Sequence, residues 1–251
     1  MARVTVEDLR TMKKAGQKIV AVIVYHYQMA LIADKAGADV LTVGDSLGRN
    51  ILGQPDVLDC TVDDMIPFAK AVVRGRERAL VSIDMPMTPS RAGPKEVAAA
   101  SRLFKDAGAD MTKIDLRTKE EELFDEVLAV IETGLAVFPQ IGFPTQGTER
   151  GVKTGPAAHE HVLKWAQKIE EAGAAMIDMT NVTADIYDDV SNHLKIPVIG
   201  GQATKEADGR ITGFSPRAEN IGRDMGSRAN TAQYIYDEAV KAIGNIRAGN
   251  F

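Results

Sequence analysis

Residues 18–48 read KIVAVIVYHYQMALIADKAGADVLTVGDSLG, and this stretch decides the fold. An apolar run at 19–24 is followed by a helix-like segment, by the turn Ala36-Gly37-Ala38, and by a second apolar run, VLTV. Glycine just past a helix can adopt the left-handed backbone conformation that ends it. The stretch therefore predicts a strand, a helix, a tight turn and a second strand.

The same pattern recurs twice further along the chain. Ala107-Gly108-Ala109 precedes the apolar run MTKI, and Ala172-Gly173-Ala174 precedes AMI. Extending these rules to the whole chain predicts strands at 19–24, 40–43, 80–83, 111–114, 136–141, 175–179 and 197–200, with a candidate eighth at 210–212. Between them lie amphipathic segments at 62–73, 95–106, 119–131, 158–171 and 185–194. Most of the strands are continuous apolar runs, which indicates a parallel sheet covered by helices on both faces.

These units predict the α/β fold class and a single-domain (β/α)8 TIM barrel. Seven or eight strand–helix alternations in about 250 residues match such a barrel, with an open doubly wound sheet as the competing architecture. No linker, charge block or low-complexity tract interrupts the chain, so we expect one domain over residues 1–251. An extra helix is expected near residues 5–15, where Thr5 and Asp8 have capping-box spacing, and a C-terminal helix near residues 230–246.

Composition excludes several classes of protein. Lys and Arg number 30 against 35 Asp and Glu, so there is no basic surplus to neutralise a nucleic acid backbone. The longest apolar run, IVAVIVY at 19–25, is too short to span a bilayer, and the first ten residues carry charges where a signal peptide is apolar. We therefore expect a soluble, cytoplasmic protein with no membrane partner. A single cysteine, Cys60, excludes an intrachain disulfide and a multi-cysteine metal site.

An aspartate follows four of the predicted strands: Asp45, Asp84, Asp115 and Asp178. In a barrel the reactive groups project from the carboxyl ends of the strands, so these four carboxylates are expected at one rim. Their mutual repulsion is costly unless a hard cation or shared protons compensate it. The pattern favours a magnesium-type site. A helix N-cap role would explain any one of these aspartates without function.

Two further residues are expected near the same rim. Lys113 lies two positions before Asp115 on one strand and shares its direction. Its charge could hold a substrate carboxylate or oxyanion, or it could pair with a neighbouring aspartate, and spacing leaves both open. Ser46 lies in a turn, Gly44-Asp45-Ser46-Leu47-Gly48, whose glycines let backbone amides approach a small anion.

The first strand ends in Tyr25-His26-Tyr27. Tyr25 is a candidate substrate-binding residue. A lone histidine such as His26 is more often structural than catalytic, and both interpretations of it stay open here.

Several segments together resemble one family. They are KIVAVIVYHYQMALIADKAGADVLTVGDSLG, LDCTVDDM, VSIDMP, AGADMTKID, IGFPTQ, EEAGAAMIDM and KIPVIGG, in this order from residue 18 to about 209. The chain resembles ketopantoate hydroxymethyltransferase (3-methyl-2-oxobutanoate hydroxymethyltransferase), and VGDSLG is the most specific segment. The resemblance implies a (β/α)8 barrel of the phosphoenolpyruvate mutase and isocitrate lyase superfamily, a homo-oligomer and the use of magnesium.

The resemblance also implies residue roles. Asp45 and Asp84 would bind the metal, Ser46 and Lys113 would contact the oxo acid, and Asp178 would be the base. Together with the rim pattern, this predicts that Asp45, Asp84 and Asp115 ligate the metal and that Asp178 and Lys113 are catalytic. The predicted substrate-binding residues are Tyr25, Ser46, Asp45, Asp84 and Lys113.

The chain departs from the family pattern at the rim. The family has Glu where this chain has Asp115 and Asp178. It has His at the position of Gln140 and Asp at the position of His26. The family's Thr-Pro-Gln is inverted here to Pro144-Thr145-Gln146. The segment after the fifth strand is shortened to GTERGVKTG, and RITGFSPRAENIG does not match. These changes favour retained metal chemistry with an altered substrate, because they lie where a second substrate must approach.

Three functions follow as hypotheses. The leading one is transfer of a hydroxymethyl group from methylenetetrahydrofolate to 3-methyl-2-oxobutanoate, or a related small 2-oxo acid, through a metal-stabilised enolate, as in pantothenate biosynthesis. The second is a folate-independent 2-oxo acid lyase or aldolase. The third is a non-catalytic paralogue that binds a metabolite.

Overall fold

The computed structural model describes residues 2–144, 151–213 and 231–250, and it contains one eight-stranded parallel sheet. The strands are β1 (Ile19–Ile23), β2 (Val40–Val43), β3 (Leu80–Asp84), β4 (Met111–Asp115), β5 (Ala136–Gly142), β6 (Ile177–Thr180), β7 (Val198–Ile199) and β8 (Gly209–Gly213). Their order is β7-β6-β5-β4-β3-β2-β1-β8, with every pairing parallel. The amide of Asp208 also donates to the carbonyl of Val198 at 3.1 Å, which joins the two ends of the sheet. This nearly closed barrel confirms the predicted architecture over the open sheet.

Helices surround the barrel. They are α1 (Val6–Lys14), α2 (Tyr27–Lys35), α3 (Leu47–Asn50), α4 (Val62–Gly75), α5 (Met87–Ala92), α6 (Pro94–Asp106), α7 (Glu120–Glu132), α8 (Pro156–Ala172), α9 (Ala184–His193) and α10 (Thr231–Arg247), with one 3-10 turn at Val57–Asp59. The short elements α3, α5 and the 3-10 turn were not predicted. Across the described ranges, none of these helices combines the length and apolar character needed to cross a membrane.

Some sequence-based expectations fall on residues outside the described ranges. These are Thr145 and Gln146 of the inverted motif, residues 147–150 of the shortened segment, residues 214–222 of the unmatched segment, and residue 230 at the start of the expected C-terminal helix.

The closing pair of strands depends on a glycine. Gly209 of β8 lies opposite Ile19 of β1, and a Cβ at this position would overlap the carbonyl oxygen of Ile19. A side chain there would force the two strands apart, so glycine permits the close approach that pairs β8 with β1.

Side chains alternate along each strand, and this alternation separates two apolar clusters. On β3, Val81 and Ile83 belong to the cluster between the sheet and the helices, whereas Leu80 belongs to the cluster inside the barrel. Leu9 and Met12 of α1 join the inner cluster and close the amino end of the barrel. The inner positions further along each strand then face the carboxyl end, where the barrel is open.

Glu126 on α7 makes the stability of the protein depend on pH. Its side chain is buried, and its Oε2 has no hydrogen-bond partner within the described ranges. Burial raises the pKa of this carboxyl to about 7, although a hydrogen bond from Ser90 opposes the shift. Since the folded-state pKa is above the ordinary value of 4.5, the folded protein holds a proton that the unfolded chain has lost between these two values. The free energy of unfolding should therefore fall as the pH rises through this window.

Glu126→Gln removes that ionisation. The substitution changes the free energy of unfolding at each pH. We expect that change to be more stabilising near pH 8 than near pH 5, by on the order of 1 to 3 kcal/mol. Urea denaturation at both pH values measures this difference. Glu121→Gln, at an exposed position of the same helix, is the matched control. An equal pH dependence in both variants would contradict the assignment.

Candidate active site

A pocket of about 380 Å³ opens at the carboxyl end of the barrel, and we call it the mouth pocket. Its lining includes five of the predicted residues, namely Asp45, Ser46, Asp84, Lys113 and Asp115. A hollow that continues from it into the barrel adds Asp178. Tyr25 is buried and reaches the pocket through a hydrogen bond to Ser46. The fold therefore gathers residues that lie more than 130 positions apart in the sequence.

Strand register explains this gathering. Asp84 pairs with Lys113 across β3 and β4, and Gln140 of β5 pairs with Asp115 on one side and Asp178 on the other. In-register residues of neighbouring strands present their side chains to the same face. The alternation that places Leu80 inside the barrel also turns Asp84 inward, four residues later.

Lys113 lies between two carboxylates. Its Nζ is 3.1 Å from Oδ2 of Asp84 and 3.5 Å from Oδ2 of Asp178. Burial lowers the pKa of this ammonium group, but the nearby carboxylates, Asp84 foremost, outweigh burial and raise it overall. Lys113 is therefore a cation in the folded protein, and the structure shows the ion pairs that sequence spacing left open.

The two carboxylates beside Lys113 are each only partly satisfied. Oδ1 of Asp84 and Oδ1 of Asp178 are buried and lack a hydrogen-bond partner in the described part of the chain. Burial raises the pKa of Asp84 to about 7, and it also raises the pKa of Asp178, while Lys113 opposes both shifts. A buried carboxylate with a raised pKa and a free oxygen is a better proton acceptor near neutral pH than an exposed one.

Because Gly200 has no side chain, the space beside the free Oδ1 of Asp178 stays open. A Cβ at Gly200 would lie 3.2 Å from Oδ1 of Asp178 and would overlap the carbonyl oxygen of Met179. Any other residue here would overlap the backbone at Met179 and would also require the Asp178 carboxylate to shift slightly.

Asp45 and Ser46 form the opposite part of the pocket lining, at the end of β2. Burial raises the pKa of Asp45, against the opposing charge of Lys113 and a hydrogen bond from the backbone amide of Ser46. Ser46 immediately precedes α3, and its Oγ is 2.9 Å from the hydroxyl of Tyr25.

Arg117 lines the pocket and was not among the predicted site residues. Its Nε donates to Oδ1 of Asp115 at 2.8 Å, and its Nη2 donates to Oδ2, so the pair is bidentate. Both oxygens of Asp115 are thereby engaged by one side chain. The spacing of an acid and a base two residues apart, just past a strand, was the signal available in the sequence. Arg49 also lines the pocket and was likewise missed.

His26 has a structural role in the described fold. Its Nδ1 accepts a hydrogen bond from the amide of Met29 at 3.4 Å, which caps the first turn of α2. Burial lowers the pKa of this imidazole. Gln140, by contrast, lines the pocket between Asp115 and Asp178.

The residues present fit a divalent cation held by two carboxylates. Within residues 2–144, 151–213 and 231–250, no three His, Cys, Asp or Glu side chains form a ready-made metal cluster. Magnesium commonly takes only one or two protein carboxylates and completes its shell with water and substrate oxygens. Asp45 and Asp84 are such a pair, and Oδ1 of Asp84 is unpartnered there. Four aspartates and three cations, Lys113, Arg117 and Arg49, line this end of the barrel, so one negative charge is left to compensate when all four carboxylates are ionised.

Sequence comparison relates the chain to one family. The family model described as ketopantoate hydroxymethyltransferase matches residues 3–219. A protein from Thermobifida fusca named 3-methyl-2-oxobutanoate hydroxymethyltransferase is 32% identical, over 99% of this chain and 91% of its own length. One of the same name from Bacteroides thetaiotaomicron is 35% identical, over 86% of this chain and 84% of its own length.

Solved structures share the fold at much lower identity. A 2,3-dimethylmalate lyase of the PEP mutase/isocitrate lyase superfamily superposes with a TM-score of 0.68 at 17% identity, covering 96% of this chain and 98% of its own. Phosphonopyruvate hydrolase, crystallised with oxalate and Mg²⁺, superposes with a TM-score of 0.67 at 14% identity over the same shares of the two chains. At these identities the likeness concerns the barrel alone.

Proposed function

Since the chain belongs to the ketopantoate hydroxymethyltransferase family, we propose that it is an enzyme that adds a hydroxymethyl group to 3-methyl-2-oxobutanoate or a closely related small 2-oxo acid. The observation that carries the proposal is the free, buried oxygen of Asp178 beside Lys113 in the open end of the barrel. A reaction at the carbon next to an oxo group needs such a base and a nearby cation.

Asp178 is the base in this proposal. It removes the proton from C3 of the 2-oxo acid, and the electron pair left on carbon delocalises onto the oxo oxygen to give an enolate. Lys113 neutralises part of the charge that develops, because its ammonium group lies within 3.5 Å of the base. The enolate carbon then bonds to the methylene carbon of the one-carbon donor, for which family membership implies methylenetetrahydrofolate. Both bonds from that carbon to the folate nitrogens break, and water supplies the hydroxyl group. Tetrahydrofolate leaves after its two nitrogens take up the second proton of that water and the proton removed from C3. Family membership implies a homo-oligomeric assembly as well.

Asp45 and Asp84 would hold the divalent cation, with magnesium the ion that the oxygen donors favour. When bound, the cation supplies Lewis-acid polarisation of the oxo group. Asp115 would assist through water, because Arg117 already engages both of its oxygens. Ser46, from its place in the pocket lining, would bind the acidic group of the substrate.

Exchange of the C3 proton tests the proposed function. The purified protein is incubated with magnesium and 3-methyl-2-oxobutanoate in deuterium oxide, and loss of the C3 proton signal is followed by NMR. We expect exchange that depends on magnesium, and formation of the hydroxymethyl product once methylenetetrahydrofolate is added. Absence of exchange would count heavily against this substrate.

The same assay separates the alternatives. Exchange without product would favour a folate-independent lyase or aldolase acting on another 2-oxo acid. If calorimetry detected binding of neither magnesium nor the oxo acid, a non-catalytic paralogue would be the better interpretation.

A further inference from the structure

Three polar side chains form a hydrogen-bonded chain that ends in the mouth pocket. Nδ2 of Asn50 donates to the hydroxyl of Tyr25 at 3.0 Å, and that hydroxyl is 2.9 Å from Oγ of Ser46. Ser46 and Asn50 lie four residues apart across the single turn of α3, where the amide of Asn50 donates to the carbonyl of Ser46 at 2.8 Å. Residues four apart lie on one face of a helix, and the side chains of Ser46 and Asn50 both contact the Tyr25 hydroxyl.

The chemistry of the groups sets the direction of this chain. The Asn50 amide is oriented with Nδ2 toward the phenol, and in this orientation the Tyr25 oxygen accepts from Asn50, because an amide nitrogen only donates. The phenol has a single proton, and because Tyr25 is only 4% exposed that proton needs a partner inside the protein. Ser46 is the partner within reach in the described part of the structure. Oγ of Ser46 therefore accepts from Tyr25, and its own proton is left to point elsewhere.

From this direction we infer that Asn50 and Tyr25 are positioning residues that make Ser46 a hydrogen-bond donor to the acidic group of the substrate. The inference rests on the proposed function, since it assumes a 2-oxo acid in the mouth pocket. Four aspartates surround this end of the barrel, so a serine that presented lone pairs would add to their repulsion of an anionic substrate. A serine held as a donor does the opposite, because a carboxylate oxygen accepts its proton.

Asn50→Asp reverses the donor–acceptor direction of these hydrogen bonds with little change in side-chain shape. A carboxylate only accepts, so Tyr25 turns its proton toward position 50, and Ser46 gives its proton to Tyr25. Lone pairs of Ser46 then face the substrate. We expect KM for the 2-oxo acid, and the dissociation constant measured by calorimetry, to rise about tenfold or more, with kcat changed by less than about twofold.

A second substitution separates this effect from the added charge. On a Tyr25→Phe background the phenol oxygen is absent. If the Asn50→Asp substitution acts through the hydrogen bonds to Tyr25, it should then change KM by less than about twofold. A charge acting directly on the substrate would raise KM equally on both backgrounds. Asn245→Asp, at an exposed position of α10, is the matched control, and we expect it to leave KM and kcat unchanged.

The results distinguish this inference from the proposed function. Suppose that the unsubstituted protein exchanges the C3 proton. The inference is overturned if Asn50→Asp binds the 2-oxo acid as tightly as the unsubstituted protein does. It is also overturned if Asn50→Asp still raises KM on the Tyr25→Phe background. If the unsubstituted protein shows no exchange, the proposed function fails. The hydrogen-bonded chain is then tested by calorimetric affinity for oxalate of the unsubstituted protein, Asn50→Asp, Tyr25→Phe and the double variant. Weaker oxalate binding in Asn50→Asp that disappears on the Tyr25→Phe background supports the donor role, and equal affinities reject it.

Discussion

Asp178→Asn should slow exchange of the C3 proton severely while the protein still binds the 2-oxo acid. The amide that replaces the carboxylate has nearly the same shape but no basic oxygen, so the proton has no acceptor. Removing a general base typically costs about a hundredfold to ten-thousandfold in rate, and we expect a loss in that range. Lys113 keeps Asp84 as a partner at 3.1 Å, so its position should change little.

The measurement combines NMR exchange in deuterium oxide with calorimetric affinity for 3-methyl-2-oxobutanoate. Asp125→Asn, at an exposed position of α7, is the matched control and should leave both values unchanged. Retained affinity with lost exchange is the signature of a missing base. An undiminished exchange rate would remove Asp178 from this role.

Asp45→Asn should strongly weaken magnesium binding and leave the fold intact. Loss of an outer-shell partner of a metal ligand costs about tenfold to a hundredfold in affinity, so loss of a direct carboxylate ligand should cost about a hundredfold or more. Burial raises the pKa of Asp45, which means that its charge is unfavourable without a cation. The neutral amide should therefore be as stable as the carboxylate, or more stable, in magnesium-free protein.

Calorimetric titration with magnesium measures this effect, and thermal unfolding without magnesium checks the fold. Asp115→Asn provides the comparison, because Arg117 engages both oxygens of Asp115. We expect Asp115→Asn to weaken magnesium binding by about tenfold to a hundredfold, as for an outer-shell partner, and by less than Asp45→Asn does. Unchanged magnesium affinity in Asp45→Asn would refute its role as a ligand.

Much of the barrel could be predicted from local patterns. Apolar runs and the Ala-Gly-Ala turns located the strands to within about two residues, because a strand buried on both faces must be apolar along its length. The short helices α3 and α5 escaped prediction, since a helix of one or two turns carries too few residues to show a period.

The partners of the site residues could not be predicted in the same way. Lys113 was equally consistent with a substrate anion or an aspartate, and only the register of β3, β4 and β6 shows that it lies between Asp84 and Asp178. Arg117 was missed because a long, flexible side chain can reach in many directions from a loop. The cap that His26 provides to α2 depends on a local backbone conformation, which residue type alone did not determine.

The sequence by itself determined the alternation of strands and helices and the acidic residues that follow four of the strands, because apolar runs and turn residues are local patterns. Closure of the sheet into a barrel depended on the pairing of β8 with β1. Only the tertiary structure decided which of those charges meet, which are neutralised and which oxygens stay free. Contacts such as Asn50 to Tyr25, or Lys113 to Asp178, join atoms whose separation depends on packing and strand register. Hydrogen bonds require narrow ranges of distance and angle, so their pattern follows from packing and not from spacing along the chain.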